Sequence, residues 1–169
     1  MSLAPSQQRH LVEITRHWLE QAEVHFGRKL EPVEVRLDLR GRSAGQYRNH
    51  PHPIIRYNPE MAAAQFGAFC ARTPPHEVAH HAVAQHHGLD GVKPHGPEWQ
   101  AVMTAFGLEP SRCHEFDLSQ VTTRRQRRFR YRCACREHEL SATRHNRILR
   151  GEQCYSCRNC GEVLVLAEK

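Results

Sequence analysis

From residue 6 the chain repeats apolar positions at intervals of three and four. Leu11, Ile14, Trp18 and Ala22 line one side of a helix that the pattern carries to residue 26, where Gly27 ends it. The period then changes to two: Val33, Val35, Leu37 and Leu39 alternate with Glu34, Arg36, Asp38 and Arg40, which predicts a strand with one buried face. Gly41 and Gly45 supply turns, and Ile54 to Tyr57 make a second short strand that Asn58-Pro59 stops. A helix over 60–70 follows. Thr73-Pro74-Pro75 punctuates the start of another, which carries HEVAHHAVAQHH and ends near Gly88; proline costs little there because first-turn N–H groups have no intrahelical acceptor. The loop GLDGVKPHG leads to a helix over 97–106 capped by Gly107, and residues 108–121 show no clear period.

Length limits what these elements can build, since 169 residues bury one ordinary core and leave room for one small satellite module. The N-terminus has no basic segment followed by an apolar one, and no apolar run is long enough to span a bilayer, so the expectation is a soluble cytoplasmic protein without membrane association. Thiols stay reduced in that compartment, which makes the seven cysteines better metal ligands than disulfide partners. Cys70 and Cys113 stand alone, whereas Cys133, Cys135, Cys154, Cys157 and Cys160 crowd the C-terminus. Charge is also uneven: residues 120–169 carry 12 Arg or Lys against 5 Glu, and the remainder carries 12 against 13 acidic residues. Any polyanionic partner should therefore meet the C-terminal module.

The segment His76-Glu77-Val78-Ala79-His80 places two imidazoles one helical turn apart on one side, where both reach a single zinc ion. Glu77 follows the first ligand directly, the position from which a carboxylate takes a proton from the attacking water and passes it to the leaving amine. A chance occurrence in a chain with 14 histidines is the competing reading. A catalytic zinc takes a third protein ligand. His81 points about 100° away from His80, and His86 lies about 9 Å farther along the same helix, without the glycine at the position of Val83 that would turn the chain back. His86 and His87 then read as solvent-facing residues near the helix C-terminus. Two candidates remain beyond the glycine-containing loop: His95, in an orientable position just before the last helix and the better placed, and Glu98, which otherwise serves as a first-turn acid.

Toward the C-terminus, Cys157-Arg158-Asn159-Cys160-Gly161 is a tight turn whose thiolates share one zinc. Cys133 and Cys135 complete a four-cysteine ribbon, although their one-residue spacer is short; Cys135 with His138 is the alternative second pair, and Cys154 is a spectator. Such a zinc folds a segment too small for a core of its own. Ahead of it, Arg124, Arg125, Arg127, Arg128, Arg130 and Arg132 crowd nine residues with Phe129 and Tyr131 between them. Guanidinium groups there could meet phosphates while the rings, Tyr131 included, stack on bases; the plain alternative is a solvated junction between modules.

Taken in order, LRGRSAGQ, IRYNPEM, PHEVAHH, HGPEWQAVMTAFG, YRCACREHELSATRHNRI and YSCRNCGEVL resemble the SprT family, related to the Spartan proteases. The resemblance implies His76, His80 and His95 as zinc ligands, Glu77 as the catalytic residue, a protein substrate associated with or crosslinked to DNA, and contact with DNA that is single-stranded or has single-stranded character. The expected architecture is α+β: a zincin-like metallopeptidase domain over residues 1–122, then a basic junction and zinc ribbon over 123–169, with one catalytic and one structural zinc. A non-catalytic nucleic-acid-binding zinc protein and a general metallopeptidase indifferent to DNA are the rival functions.

Overall fold

The structure, a computed structural model, describes residues 3–112, 116 and 127–167. It divides into two compact units, Met1–Thr123 and Arg124–Lys169. The first unit opens with α1 (Pro5–Phe26), which starts on a proline and stops at Gly27, whose φ of 63° lets its N–H reach the carbonyls of Glu23 and Val24. Three strands follow: β1 (Glu34–Arg36), β2 (Gly45–Arg48) and β3 (Ile54–Tyr57). β3 lies in the middle, parallel to β1 and antiparallel to β2, so β2 forms one edge of the sheet.

Two expectations about these strands change. The alternating stretch predicted from Val33 pairs only over Glu34–Arg36, because β3 offers four residues before Asn58 turns the chain into a helix; Leu39 adds one further bond, N–H to the Tyr57 carbonyl at 3.1 Å. Gly45, expected in a turn, opens β2 instead.

The helices also differ from the pattern. α2 (Pro59–Ala64) is short, and after a break at Gln65 the chain enters α3 (Phe66–His87), which runs without interruption through Pro74 and Pro75. Proline already has a helical φ, and what it removes is the N–H that would serve the carbonyl four residues back. That loss, about 3 kcal/mol per proline in an exposed helix, is offset by packing, for Thr73, Pro74 and Pro75 are all buried. Burial extends nearly all round α3, which separates two apolar clusters. Phe69, Cys70, Val78 and Ala82 join Leu11, Ile55, Tyr57 and Met61 on one side. Ala79 and Val83 join Trp99, Val102 and Met103 of α4 (Pro97–Ala105) on the other. Among the described residues no helix is long and apolar enough to cross a membrane.

The second unit is a three-stranded antiparallel sheet of β4 (Arg128–Arg132), β5 (Glu137–Ser141) and β6 (Val165–Leu166), with β4 central. A short helix, α5 (Ala142–Leu149), follows β5 and is capped by the Ser141 hydroxyl. The core is small: Tyr131, Leu140, Cys157 and Leu164, flanked by Phe129, Ile148 and Tyr155. Part of the arginine run that reads as a junction is therefore a central strand of this unit. Alternation sends Phe129 and Tyr131 inward and leaves Arg128, Arg130 and Arg132 exposed.

Asn58 joins the sheet to the loop ahead of β2. Fully buried, it accepts from the N–H groups of Glu60 and Met61 to cap α2, and its amide donates to the carbonyls of Gly41 and Ser43 at 3.0 and 3.3 Å. Replacing it by alanine removes a cap and leaves the Gly41 and Ser43 carbonyls without this donor, so Asn58→Ala should destabilise the first unit by about 2–4 kcal/mol. Urea unfolding measures this, and an unchanged midpoint would mean the loop is held by other means.

Candidate active site

α3 presents His76 and His80 on one stripe, and His95 approaches from the loop ahead of α4. The three Nε2 atoms lie 3.3 Å (His76 to His80), 3.1 Å (His80 to His95) and 3.0 Å (His76 to His95) apart. Two nitrogens held about 2.0–2.1 Å from one ion at the tetrahedral angle are about 3.3 Å apart, so the spacing fits a shared zinc with a small contraction. Protonation suits the same role. Burial and the neighbouring His76 and His95 push His80 down to about 3, and burial with the nearby Arg112 lowers His95, which keeps these rings neutral with lone pairs free to ligate. Glu98 is absent from this group, so the structure brings together the three-histidine alternative.

His95 occupies a backbone position that histidine seldom takes. Its φ is 59°, in a turn closed by Gly96 N–H to the Lys93 carbonyl at 2.8 Å, with Pro94 ahead of it. Glycine or asparagine usually fills such a position, and a strained residue there needs support from its surroundings. Gln100 supplies some of it by donating to the His95 carbonyl at 3.1 Å. Trp99 supplies more. Its ring is only 1% exposed and lies 4.7–5.6 Å, centroid to centroid, from all three imidazoles, while Nε1 donates to the His76 carbonyl. Sequence reading gave Trp99 no role, although its place four residues after His95 on a helix start was a usable signal.

The Glu77 side chain lies against β2, on the cleft that His76 also borders. Burial pushes its carboxyl up to about 8 against the opposing pull of a hydrogen bond from the Tyr47 backbone N–H. β2 comes so close that a Cβ on Gly45 would sit 2.4 Å from Glu77 Oε1, which is why this strand opens on glycine. His81, one step further round the helix than His80, fastens the same strand: its Nε2 donates to the Glu31 carbonyl at 2.9 Å and its Nδ1 lies 3.3 Å from the Tyr47 hydroxyl. A cleft of about 500 Å³ opens on His76 and Glu77, bordered by the 42–45 segment, α3 around Arg72 and residues 108–112. His86 and His87 stay outside it, packed on Phe26.

In the second unit Cys133, Cys135, Cys157 and Cys160 converge with all four Sγ atoms within 4.8 Å of one another. Cys133 to Cys135 is 3.5 Å and Cys135 to Cys157 is 3.6 Å, close to the roughly 3.8 Å between thiolates about 2.3 Å from one zinc. Backbone N–H groups of Cys160 and Asn159 draw the Cys157 thiol down to about 5, toward the ligating thiolate. His138 stands outside the four, 3.2 Å from Cys133 Sγ through Nε2. Cys154 is exposed and belongs to neither group.

The residues expected to touch nucleic acid divide. Arg124 and Arg125 lie outside the described residues. Arg127, Arg128, Arg130 and Arg132 are exposed, with Glu139 and Glu137 opposite Arg130 and Arg132 on β5. Tyr131 does not fit the expected role: its ring is 1% exposed and its hydroxyl bonds His145 Nδ1 at 2.9 Å, so no base can stack on it. Phe129 is stacked on His145, with centroids 3.6 Å apart and Arg127 over its ring. The interleaved aromatics thus serve the small core.

A replacement at Gly45 tests the link between β2 and the Glu77 carboxyl. Gly45→Ala should displace Glu77 and lower turnover by about a hundredfold while folding and zinc content stay intact, as read by kinetics and metal analysis. Unaltered turnover would show that Glu77 tolerates the shift.

Comparison with known proteins gives a consistent picture. The model of the SprT-like family matches residues 15–126. The chain is 40% identical over 151 residues to Protein SprT of Escherichia coli O1:K1 / APEC, covering 89% of this chain and 88% of that one. The same figures hold for Protein SprT of Escherichia coli O139:H28 (strain E24377A / ETEC). An alignment of that length necessarily runs into the second unit. No solved structure matches.

Proposed function

The chain belongs to the SprT-like family, and on that premise we propose that it is a zinc-dependent endopeptidase whose reacting centre is His76, His80, His95 and Glu77. The observation that carries the proposal is the pairing of three converging imidazoles with a buried carboxyl and an open cleft beside them. A site that serves structure alone is closed by four ligands, as the cysteine cluster is, and has no use for a neighbouring acid. Zinc bound to the imidazoles would supply a Lewis acid that polarises the scissile carbonyl and acidifies water. Glu77 takes the proton of the attacking water and returns it to the leaving amine. The Tyr47 N–H and the backbone at Gly45 hold that carboxyl in place, and Trp99 holds the imidazoles. β2 is an edge strand, so an extended peptide laid beside it reaches the centre by main-chain pairing.

The substrate we assign is protein associated with DNA. The second unit, folded by zinc on Cys133, Cys135, Cys157 and Cys160, contacts phosphates through Arg127, Arg128, Arg130 and Arg132, with Arg124 and Arg125 on the same run. Support comes from the charge bias of residues 120–169 and from the row that Arg128, Arg130 and Arg132 form on the exposed side of β4. Glu137 and Glu139 opposite them weaken that row, which favours a modest, salt-sensitive contact over base-specific recognition.

Two measurements test the reading. Glu77→Gln should keep the zinc content of the parent protein and lose peptide cleavage by at least about a hundredfold; loss of zinc, or retained cleavage, would contradict the assignment of Glu77. For the second unit, replacing Arg128, Arg130 and Arg132 by Gln should flatten the dependence of single-stranded DNA affinity on salt by about two units of slope. An unchanged slope would leave these arginines as a solvated surface and favour a peptidase indifferent to DNA.

A further inference from the structure

Three arginines that the reaction does not use border the cleft at Glu77. Arg42 comes from the loop tied down by Asn58, Arg72 stands on α3 one turn before His76, and Arg112 follows α4, so three separate segments bring positive charge to one concavity. Arg72 and His76 are four residues apart and share a side of the helix. Among the described residues none of the three arginines forms an ion pair within 4 Å, whereas Arg36, Arg56 and Arg150 all do. Glu109 is the one acidic group besides Glu77 that borders the cleft among these residues. Guanidinium groups without an ion-pair partner among the described residues, set along one concavity, can receive a carboxylate or phosphate.

We infer that Arg42, Arg72 and Arg112 form a subsite for a carboxylate of the substrate chain, so that cleavage is directed to peptide bonds near an acidic residue. This rests on the peptidase reading above. The other walls favour a peptide over a nucleic acid. Ala44, Ala71, Met103 and Leu108 offer apolar surface for an aliphatic stem, Ser43 offers a hydroxyl, and among the described residues lining the cleft there is no Phe, Tyr or Trp on which a base could stack. A cleft of about 500 Å³ also suits a few side chains. The carboxylate can come from an Asp or Glu side chain or from a free C-terminus; both present the same planar acceptor to a guanidinium fork.

Matched peptides test this on the zinc-loaded chain with both units present. One series carries Glu or Gln at each position within three residues of the scissile bond, and a second compares free and amidated C-termini. The expected result is a kcat/KM about tenfold higher for a Glu-containing peptide at one position or more, the lower end for a charge-assisted contact in partly exposed surroundings. In Arg42→Gln, Arg72→Gln and Arg112→Gln variants that keep circular dichroism and zinc content, that ratio should fall toward one. In Arg72→Glu it should invert in favour of Lys. A preference confined to free C-termini would assign the subsite to the terminal carboxylate. Equal kcat/KM for Glu and Gln peptides, or a preference that survives in all three Gln variants and so arises at the metal, would overturn the inference. Competition by a single-stranded oligonucleotide, relieved in the variants without any peptide preference, would overturn it too. If no peptide is cleaved, the peptidase reading fails instead. Binding of the Glu and Gln peptides to zinc-loaded Glu77→Gln then still decides the subsite: tighter binding of the Glu peptide, lost in the arginine variants, sustains it, and equal binding sinks it.

Discussion

The angular step of α3 distributes the chemistry of the first unit. Each residue of a helix turns about 100° from the one before, so neighbours in sequence act in different directions. His76 and His80 share a stripe and meet His95; Glu77 turns to β2; His81 turns to Tyr47 and the Glu31 carbonyl. For this division to hold, α3 has to be rigid and enclosed, and its burial against α1 and the sheet on one side and α4 on the other provides that. The two prolines within it fit the same demand, since their rings lie in the core and the helix stays continuous into the HEVAHH segment.

Enclosure also sets the electrostatics. A carboxyl pressed against β2 loses water and favours its neutral form, and imidazoles gathered in one place disfavour protonation. Both tendencies suit a cation at the imidazoles, which would draw the carboxyl back toward ionisation and convert crowded lone pairs into ligand bonds. The cysteine cluster follows the same logic with softer donors. Its Cys157 thiol leans on the backbone N–H groups of Asn159 and Cys160, and the core beneath the cluster is small.

Features set by local spacing were readable from the sequence. The pair His76 and His80 with Glu77 depends only on helical period, and the Cys157–Cys160 turn only on a short chain segment. His95 could be ranked above Glu98, yet the choice depends on a turn with φ of 59° that histidine does not advertise. Features set by distant segments were not readable. Nothing near Gly45 in the chain shows that Glu77 will press against it, and nothing near Asn58 shows that its amide holds the loop at Gly41 and Ser43. The aromatics of the arginine run misled for a related reason: basic residues suggested a surface, but strand alternation turned Tyr131 and Phe129 toward His145 and the small core.

The proposed function requires an ion held by His76, His80 and His95, and anomalous diffraction at the zinc edge from crystals of the whole two-unit chain tests it most directly. Two peaks are predicted per chain, one equidistant from the three Nε2 atoms and one among the four cysteine Sγ atoms. A single peak at the cysteines, with the imidazoles empty in zinc-replete crystals, would contradict it.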